Sequence, residues 1–351
     1  MVQNFFKSWA RHFINALFLS AYFALACGRA SHTNRIDLSG HSLLSPRSQE
    51  NIRALVPSVV GIVAVFDYRL EFFQHELVDG RFVPDAASPT RYRLTKGPQA
   101  IIHAKKIQKV NGGGLIIYRD GRQTLILTCE HVLTSPDTIR TFHRDTSGNE
   151  TKIMTSRAVK KNETHHVIDQ VNHLEPAEVI YTDSRTDLGL MTVGTKMAVG
   201  VPFASTIAYK TEVTWGDLAF VFGYPREIKQ LTVGIISSAP YPGAFSLGVV
   251  ARFGFSGGPV FVVRPGGDLE LAGIVRGVPV NKLKYLAPPA ELLSGQYLKT
   301  EDLAQIAAEE YDLIEYGTVY AVGAEKIGRF LKESQQVLEK KGISLSAQLL
   351  P

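Results

Sequence analysis

Residues 254 to 259 read Gly254-Phe255-Ser256-Gly257-Gly258-Pro259, and no other stretch restricts the fold of this chain so tightly. A serine held between glycines in a tight turn lets backbone N–H groups converge beside its hydroxyl. A hydroxyl that attacks a carbonyl needs such a turn, because the oxygen that becomes negative must meet donors already in place. One architecture with this pattern is a strand–turn–helix elbow, in which the histidine base follows the serine along the chain. The last histidine here is His173, so that architecture is excluded.

The other order, histidine then aspartate then serine, is satisfied. His131 lies in Leu127-Thr128-Cys129-Glu130-His131-Val132, directly after the apolar run Leu125-Ile126-Leu127. A base just past the end of a buried strand is held rigidly while its ring faces a cleft. Asp187 lies in Thr186-Asp187-Leu188-Gly189-Leu190 and opens another apolar strand. With these pieces together, the chain resembles the trypsin-like serine peptidases, specifically the bacterial HtrA/Deg branch, from about Pro57 to Leu331. Val56-Pro57-Ser58-Val59-Val60-Gly61-Ile62-Val63 looks like that family's opening strand, and Gly112-Gly113-Gly114-Leu115-Ile116-Ile117 like the strand before the histidine. Gly216 to Pro225, Leu231 to Ser237, Gly273-Ile274-Val275 and Gly317 to Val322 resemble four further strand motifs in the family's order.

The resemblance implies roles. His131 is the general base, Asp187 orients it, and Ser256 is the nucleophile. The backbone N–H groups of Gly254 and Ser256 form the oxyanion hole, and the reaction needs no metal or organic cofactor. Val250 stands at the expected base of the specificity pocket, with Gly277 and Gly317 at its border. No carboxylate there implies cleavage after small or medium apolar residues. Arg276 either obstructs the pocket or meets an acidic substrate group. Phe255 occupies a position where relatives carry asparagine or aspartate. Packing behind the loop and distortion of the oxyanion turn both remain open, the latter leaving room for a catalytically silent or partner-activated binding module.

The expected fold is all-β: two six-stranded antiparallel barrels, chymotrypsin-like, with the active site between them and a C-terminal helix. Strands are expected at Val59–Phe66, Gly114–Tyr118, Thr124–Thr128, Glu178–Tyr181, Leu188–Val193, Ala219–Phe222, Leu231–Ser237, Pro259–Val263, Leu269–Val275 and Thr318–Val322. The first barrel spans about 57–197 and the second about 211–323, within a peptidase domain at 49–335 followed by a tail at 336–351. Ser48 is the expected cap of a short helix ended by Pro57. Asp67 to Lys109 reads as an extended hairpin or surface loop, and Asp145 to Pro176 as exposed chain. Within an insertion at 281–316, Thr300 reads as a helix cap, and Leu303, Ile306, Ala307, Tyr311 and Ile314 recur at helical spacing. That helix either packs on a barrel or forms a lid. Ala324 to Lys341 reads as the closing helix. The branch usually continues into peptide-binding PDZ domains, and Ile343 to Pro351 is too short for one.

With 45% hydrophobic and 20% charged residues the chain can build a large core. The net charge is +5 and no basic run is interleaved with aromatics, which argues against nucleic acid as a partner. Protein or peptide substrates are the expected partners; oligomeric state is not readable. His165 and His166 are adjacent and would point apart on a strand, so they make no metal site. Only Cys27 and Cys129 are present, so the fold does not rest on several disulfides. Cys129 is expected as a small buried filler behind His131.

Residues 1–26 read as an export signal: Lys7 and Arg11 precede an apolar run from Phe13, and Ala24-Leu25-Ala26 fits a signal-peptidase site. The apolar run is short of the roughly 20 residues that a membrane-spanning helix needs. Ala24-Leu25-Ala26-Cys27 also resembles a lipobox, so lipid anchoring through Cys27 and simple release after Ala26 both stay open. Residues 27–48 read as a tether. An exported protein of the periplasm or cell envelope is expected.

Overall fold

A computed structural model describes residues 45–350 except 146–147, 195–199, 204–205, 210–211, 238–241 and 288–306. The export signal and Cys27 lie outside the described residues. Helix α1 (Pro46–Leu55) leads into the first strands, and Pro46–Pro351 form one compact unit. The helix starts two residues before Ser48, with proline in its first turn where a missing N–H costs nothing. Ser48 is therefore a buried residue inside the helix rather than its cap.

The first barrel uses β1 (Val59–Phe73), β6 (Ile101–Arg119), β7 (Gln123–Thr128), β9 (Glu150–Ile168), β10 (Leu174–Asp183) and β11 (Leu188–Gly194). Their order is β1-β6-β7-β11-β10-β9, and β9 pairs back onto β1 to close the ring. β8 (Thr138–Arg144) adds to the free side of β9. Between β1 and β6 lie two small ladders, β2 (Leu77–Val78) with β3 (Arg81–Phe82) and β4 (Pro84–Asp85) with β5 (Ser88–Tyr92). The second barrel closes as β12-β13-β14-β19-β16-β15, from β12 (Leu218–Gly223), β13 (Gln230–Ser237), β14 (Ala244–Gly248), β15 (Pro259–Val263), β16 (Leu269–Gly277) and β19 (Thr318–Gly323). Both barrels of the expected fold are present, and both are antiparallel six-stranded rings.

Each barrel is filled by apolar residues its strands turn inward. β7 and β11 are buried along nearly their whole length, which is why both read as continuous apolar runs. The barrels are joined by specific contacts. Tyr224, fully buried after β12, donates its hydroxyl to Val59 O at 3.2 Å. Phe203 N–H donates to Ile116 O at 2.8 Å while its ring meets Phe261 of the second barrel at 5.5 Å.

Three further expectations are corrected. Residues 145–176 are not mere exposed chain, because β9 is a wall of the first barrel. His165 is buried on it and hydrogen-bonds Leu133 O at 2.7 Å. The expected helix near 300–314 is instead partly a hairpin: β17 (Val280–Ala287) pairs with β18 (Ala307–Ile314), setting Leu283 against Tyr311. The alternation Glu310-Tyr311-Asp312-Leu313 has period two, and cross-strand pairing prevailed over the looser helical spacing. Thr300, Leu303 and Ile306 lie outside the described residues. The tail at 336–351 is not separate either: α3 (Ala324–Lys340) runs through its start, Ile343 and Leu349 are buried, and Tyr209 donates its hydroxyl to Leu349 O at 2.8 Å. Among the described residues, no helix is long and apolar enough to cross a membrane.

Candidate active site

Strand register brings the first two site residues together. β7 and β11 are antiparallel with Gly189 opposite Thr128, so extending the ladder sets Asp187 against Glu130. Glu130 N–H donates to Asp187 O at 3.2 Å at this point. The chain then turns into the short helix α2 (Glu130–Leu133), which projects the His131 ring over the carboxylate. His131 Nδ1 lies 2.9 Å from both Asp187 oxygens, and the His131 backbone N–H donates to Oδ1 at 3.0 Å. A carboxylate only accepts, so Nδ1 carries the proton and Nε2 is left as the basic nitrogen. Asp187 is buried and adopts φ +58°, a left-handed conformation that aspartate tolerates better than most residues.

Ser256 arrives from the second barrel on the turn before β15. This turn is tied on three sides. Gly113 N–H of β6 donates to Ser256 O at 2.8 Å, Tyr224 N–H donates to Gly254 O at 2.8 Å, and Gly257 N–H donates to Val275 O of β16 at 2.8 Å. The glycines are required here. At Gly258, a Cβ would stand 1.9 Å from Phe222 O, so no side chain fits. Gly254, at φ +101°, keeps its own N–H and that of Ser256 without an acceptor among the described residues. Phe255 packs behind the loop: it is 2% exposed within the second-barrel core. Of the two expectations for Phe255, the structure takes packing.

His131 and Ser256 line one cavity of about 430 Å³, walled by Lys109, Val110 and Asn111 of β6, by second-barrel residues between Arg252 and Gly277, and by Val278 and Val280 beyond β16. Among the described residues no hydrogen bond joins His131 to Ser256. The serine hydroxyl donates instead to Arg276 O at 3.4 Å, a long bond. Arg276 also places Nε 3.4 Å from Asp187 Oδ2, so its guanidinium shares the carboxylate with His131. Gly277 lines the same cavity. Val250 does not: it is 73% exposed and lines an adjoining cavity with Ala251, Phe253 and Tyr316. Gly317 lines neither, and its carbonyl accepts from Val249 N–H at 3.1 Å.

Cys129 is fully buried, as expected, with its thiol donating to Val275 O at 3.0 Å. Burial, then the Asp187 charge, pushes that thiol well above its ordinary range. Ligand atoms of Cys129, His131 and Asp187 lie within 4.8 Å of one another. A metal requires the thiolate, and this protonated, donating thiol opposes one. Reasoning from residue order missed Lys109, Asn111, Arg226 and Arg252 as cleft residues. The usable signal was adjacency: Lys109 and Asn111 directly precede the Gly112 to Gly114 run, and Arg252 lies two residues before Gly254.

Comparison with known proteins adds a match over part of the chain. Residues 112–266 match the trypsin-like peptidase domain, a span that contains His131, Asp187 and Ser256. No curated protein sequence matches the chain. Among solved structures, the serine endoprotease from Yersinia pestis is similar at 16% identity and a TM-score of 0.42, over 84% of this chain and 68% of that one.

Proposed function

We propose that the trypsin-like peptidase domain of this chain is a serine endopeptidase working through Ser256, His131 and Asp187. The observation that carries this reading is the Asp187–His131 pair, at 2.9 Å, sharing one cleft with a glycine-flanked serine. His131 Nε2 takes the Ser256 proton as Oγ attacks the scissile carbonyl. The tetrahedral oxyanion is met by the Gly254 and Ser256 N–H groups, each such donor being worth roughly 10²–10³ in rate. Collapse expels the amine, which leaves with the proton held by His131. Water then attacks the ester by the same route and regenerates Ser256. The long Ser256–Arg276 bond is compatible with this chemistry, since catalytic hydrogen bonds often tighten only when substrate is bound.

The substrates proposed are proteins or peptides; Val250 does not line the Ser256 cavity, and what supports cleavage after small or medium apolar residues is that no carboxylate lines either cavity. Residues 1–26 direct export to the periplasm or cell envelope in this reading, with either lipidation of Cys27 or release after Ala26. A second reading, a silent binding module, draws on one observation: Arg276 occupies both the Ser256 hydroxyl and Asp187. A fluorophosphonate probe decides between them. Capture of wild type but not Ser256→Ala supports the peptidase. No capture, with or without added protein substrate, favours the binding module.

A further inference from the structure

Two cavities meet at the serine turn, one of about 430 Å³ holding Ser256 and one of about 710 Å³ beside it. They share Lys109, Asn111, Arg252, Phe253 and Gly254. The charges around them are of one sign. Lys109, Arg252 and Arg276 line the first, Lys109, Arg226 and Arg252 the second, and no aspartate or glutamate lines either. The whole chain carries only +5, so this concentration is local. Lys109 pairs with Glu227, and Arg276 leans on Asp187. Arg226 and Arg252 are exposed and have no carboxylate partner among the described residues. One polar atom is also left over: Asn111 Oδ1, in the shared wall, is buried without a hydrogen-bond partner.

We propose that this cleft selects peptide segments carrying aspartate or glutamate on either side of the cleaved bond. The inference rests on the endopeptidase reading and names its substrate class. A guanidinium fork matches a carboxylate in two parallel hydrogen bonds, which a lysine-rich or neutral segment cannot supply. A cleft lined by one sign of charge also concentrates the opposite sign from solution. Arg276 adds a consequence for turnover. A substrate carboxylate that draws its guanidinium off Asp187 leaves that carboxylate wholly to His131. Acidic flanks therefore raise kcat as well as lower KM, whereas steering alone would act on KM.

The test uses the full chain and matched peptides with valine before the scissile bond, flanked by Asp/Glu, Asn/Gln or Lys. At low salt, kcat/KM for the acidic set should exceed the neutral set by about tenfold or more, given what charge-lined clefts achieve. The preference should shrink toward unity near ~0.5 M salt, as screening shortens the reach of the charges. Arg252→Glu and Arg226→Glu should each shift preference toward Lys-flanked peptides; thermal melts identify a variant that fails to fold, and the other then carries the test. Equal hydrolysis of the three sets at low salt overturns the inference, as does a preference unmoved by both charge reversals. Fluorophosphonate labelling of the same samples separates the two levels. Label without acidic preference removes this inference alone; no label removes the endopeptidase reading and this with it.

Discussion

Replacing Gly257 by alanine should damage this protein in two ways that can be measured apart. The residue has φ +78°, where an L side chain costs about 1–2 kcal/mol. Its new Cβ would also stand 2.1 Å from Thr128 Oγ1 and 2.4 Å from Gly113 O, both in the first barrel. Neither atom yields easily. Thr128 Oγ1 donates to Gly113 O at 2.7 Å, and Gly113 N–H holds Ser256 O at 2.8 Å. Overpacking of this kind costs about 1–3 kcal/mol, giving about 2–5 kcal/mol in all. At the usual unfolding entropy per residue, a unit of this size should lose about 3–8 °C in Tm. Gly266→Ala is the control, since Gly266 has φ +92° and open space where a Cβ would go. It should bear only the backbone cost, about 2–3 °C. Calorimetry gives both Tm values, and the rate of fluorophosphonate labelling reports Ser256 one residue away. We expect labelling to slow at least ~100-fold in Gly257→Ala, the lower end of the loss of one oxyanion donor, and to stay at the wild-type rate in Gly266→Ala. If the two variants match in both Tm and labelling, the argument that this turn is clamped against the first barrel is wrong.

Two further outcomes follow from the same structure. Phe255→Ala should destabilise the protein by about 3–5 kcal/mol in denaturant titrations, because the ring fills the second-barrel core where it lies against Gly223; a loss below about 1 kcal/mol would mean the ring is not part of that core. Burial lowers Lys229 from 10.5 to about 8, although its ammonium donates to Val56 O and Gln170 Oε1 at 2.8 Å. The unfolded chain keeps this proton to higher pH than the folded one, so the group disfavours folding below about 8 and that penalty fades toward 10.5. Wild-type stability should therefore rise relative to Lys229→Met across that window, and parallel pH profiles would contradict the assignment.

Which strands could be read from residues depended on where their faces point. β7 and β11 are enclosed by neighbouring strands and core, so apolarity alone marks them. β9 is as much a wall of the first barrel, yet its middle reads Lys160-Lys161-Asn162-Glu163. It belongs to a sheet that continues beyond the ring, where β1 and β6 also run long, and a strand exposed there carries charge. β14 escaped notice because Phe245 and Leu247 alone mark its buried face. The β17–β18 hairpin was misread because apolar residues three and four apart coexist with strict alternation, and only the pairing partner at Asn281–Leu283 decides between them.

The site divides along a similar line. His131, Asp187 and Ser256 were legible because each follows or opens an element whose ends the chain announces, by an apolar run or by glycines. The cations around them were not, since a surface arginine is the ordinary fate of an arginine. Lys109, Arg226 and Arg252 come from three separate segments and acquire a common meaning only when β6 and the serine turn close on one another. Arg276 shows the difference most sharply. From its position it could obstruct substrate or greet an acidic group, and the two readings looked exclusive. Its Nε lies 3.4 Å from Asp187 and its backbone carbonyl accepts from the Ser256 hydroxyl, and under the acidic-substrate proposal the two readings become one device. Under that proposal, the guanidinium that shares Asp187 with His131 in the resting site is the group an acidic substrate would draw away.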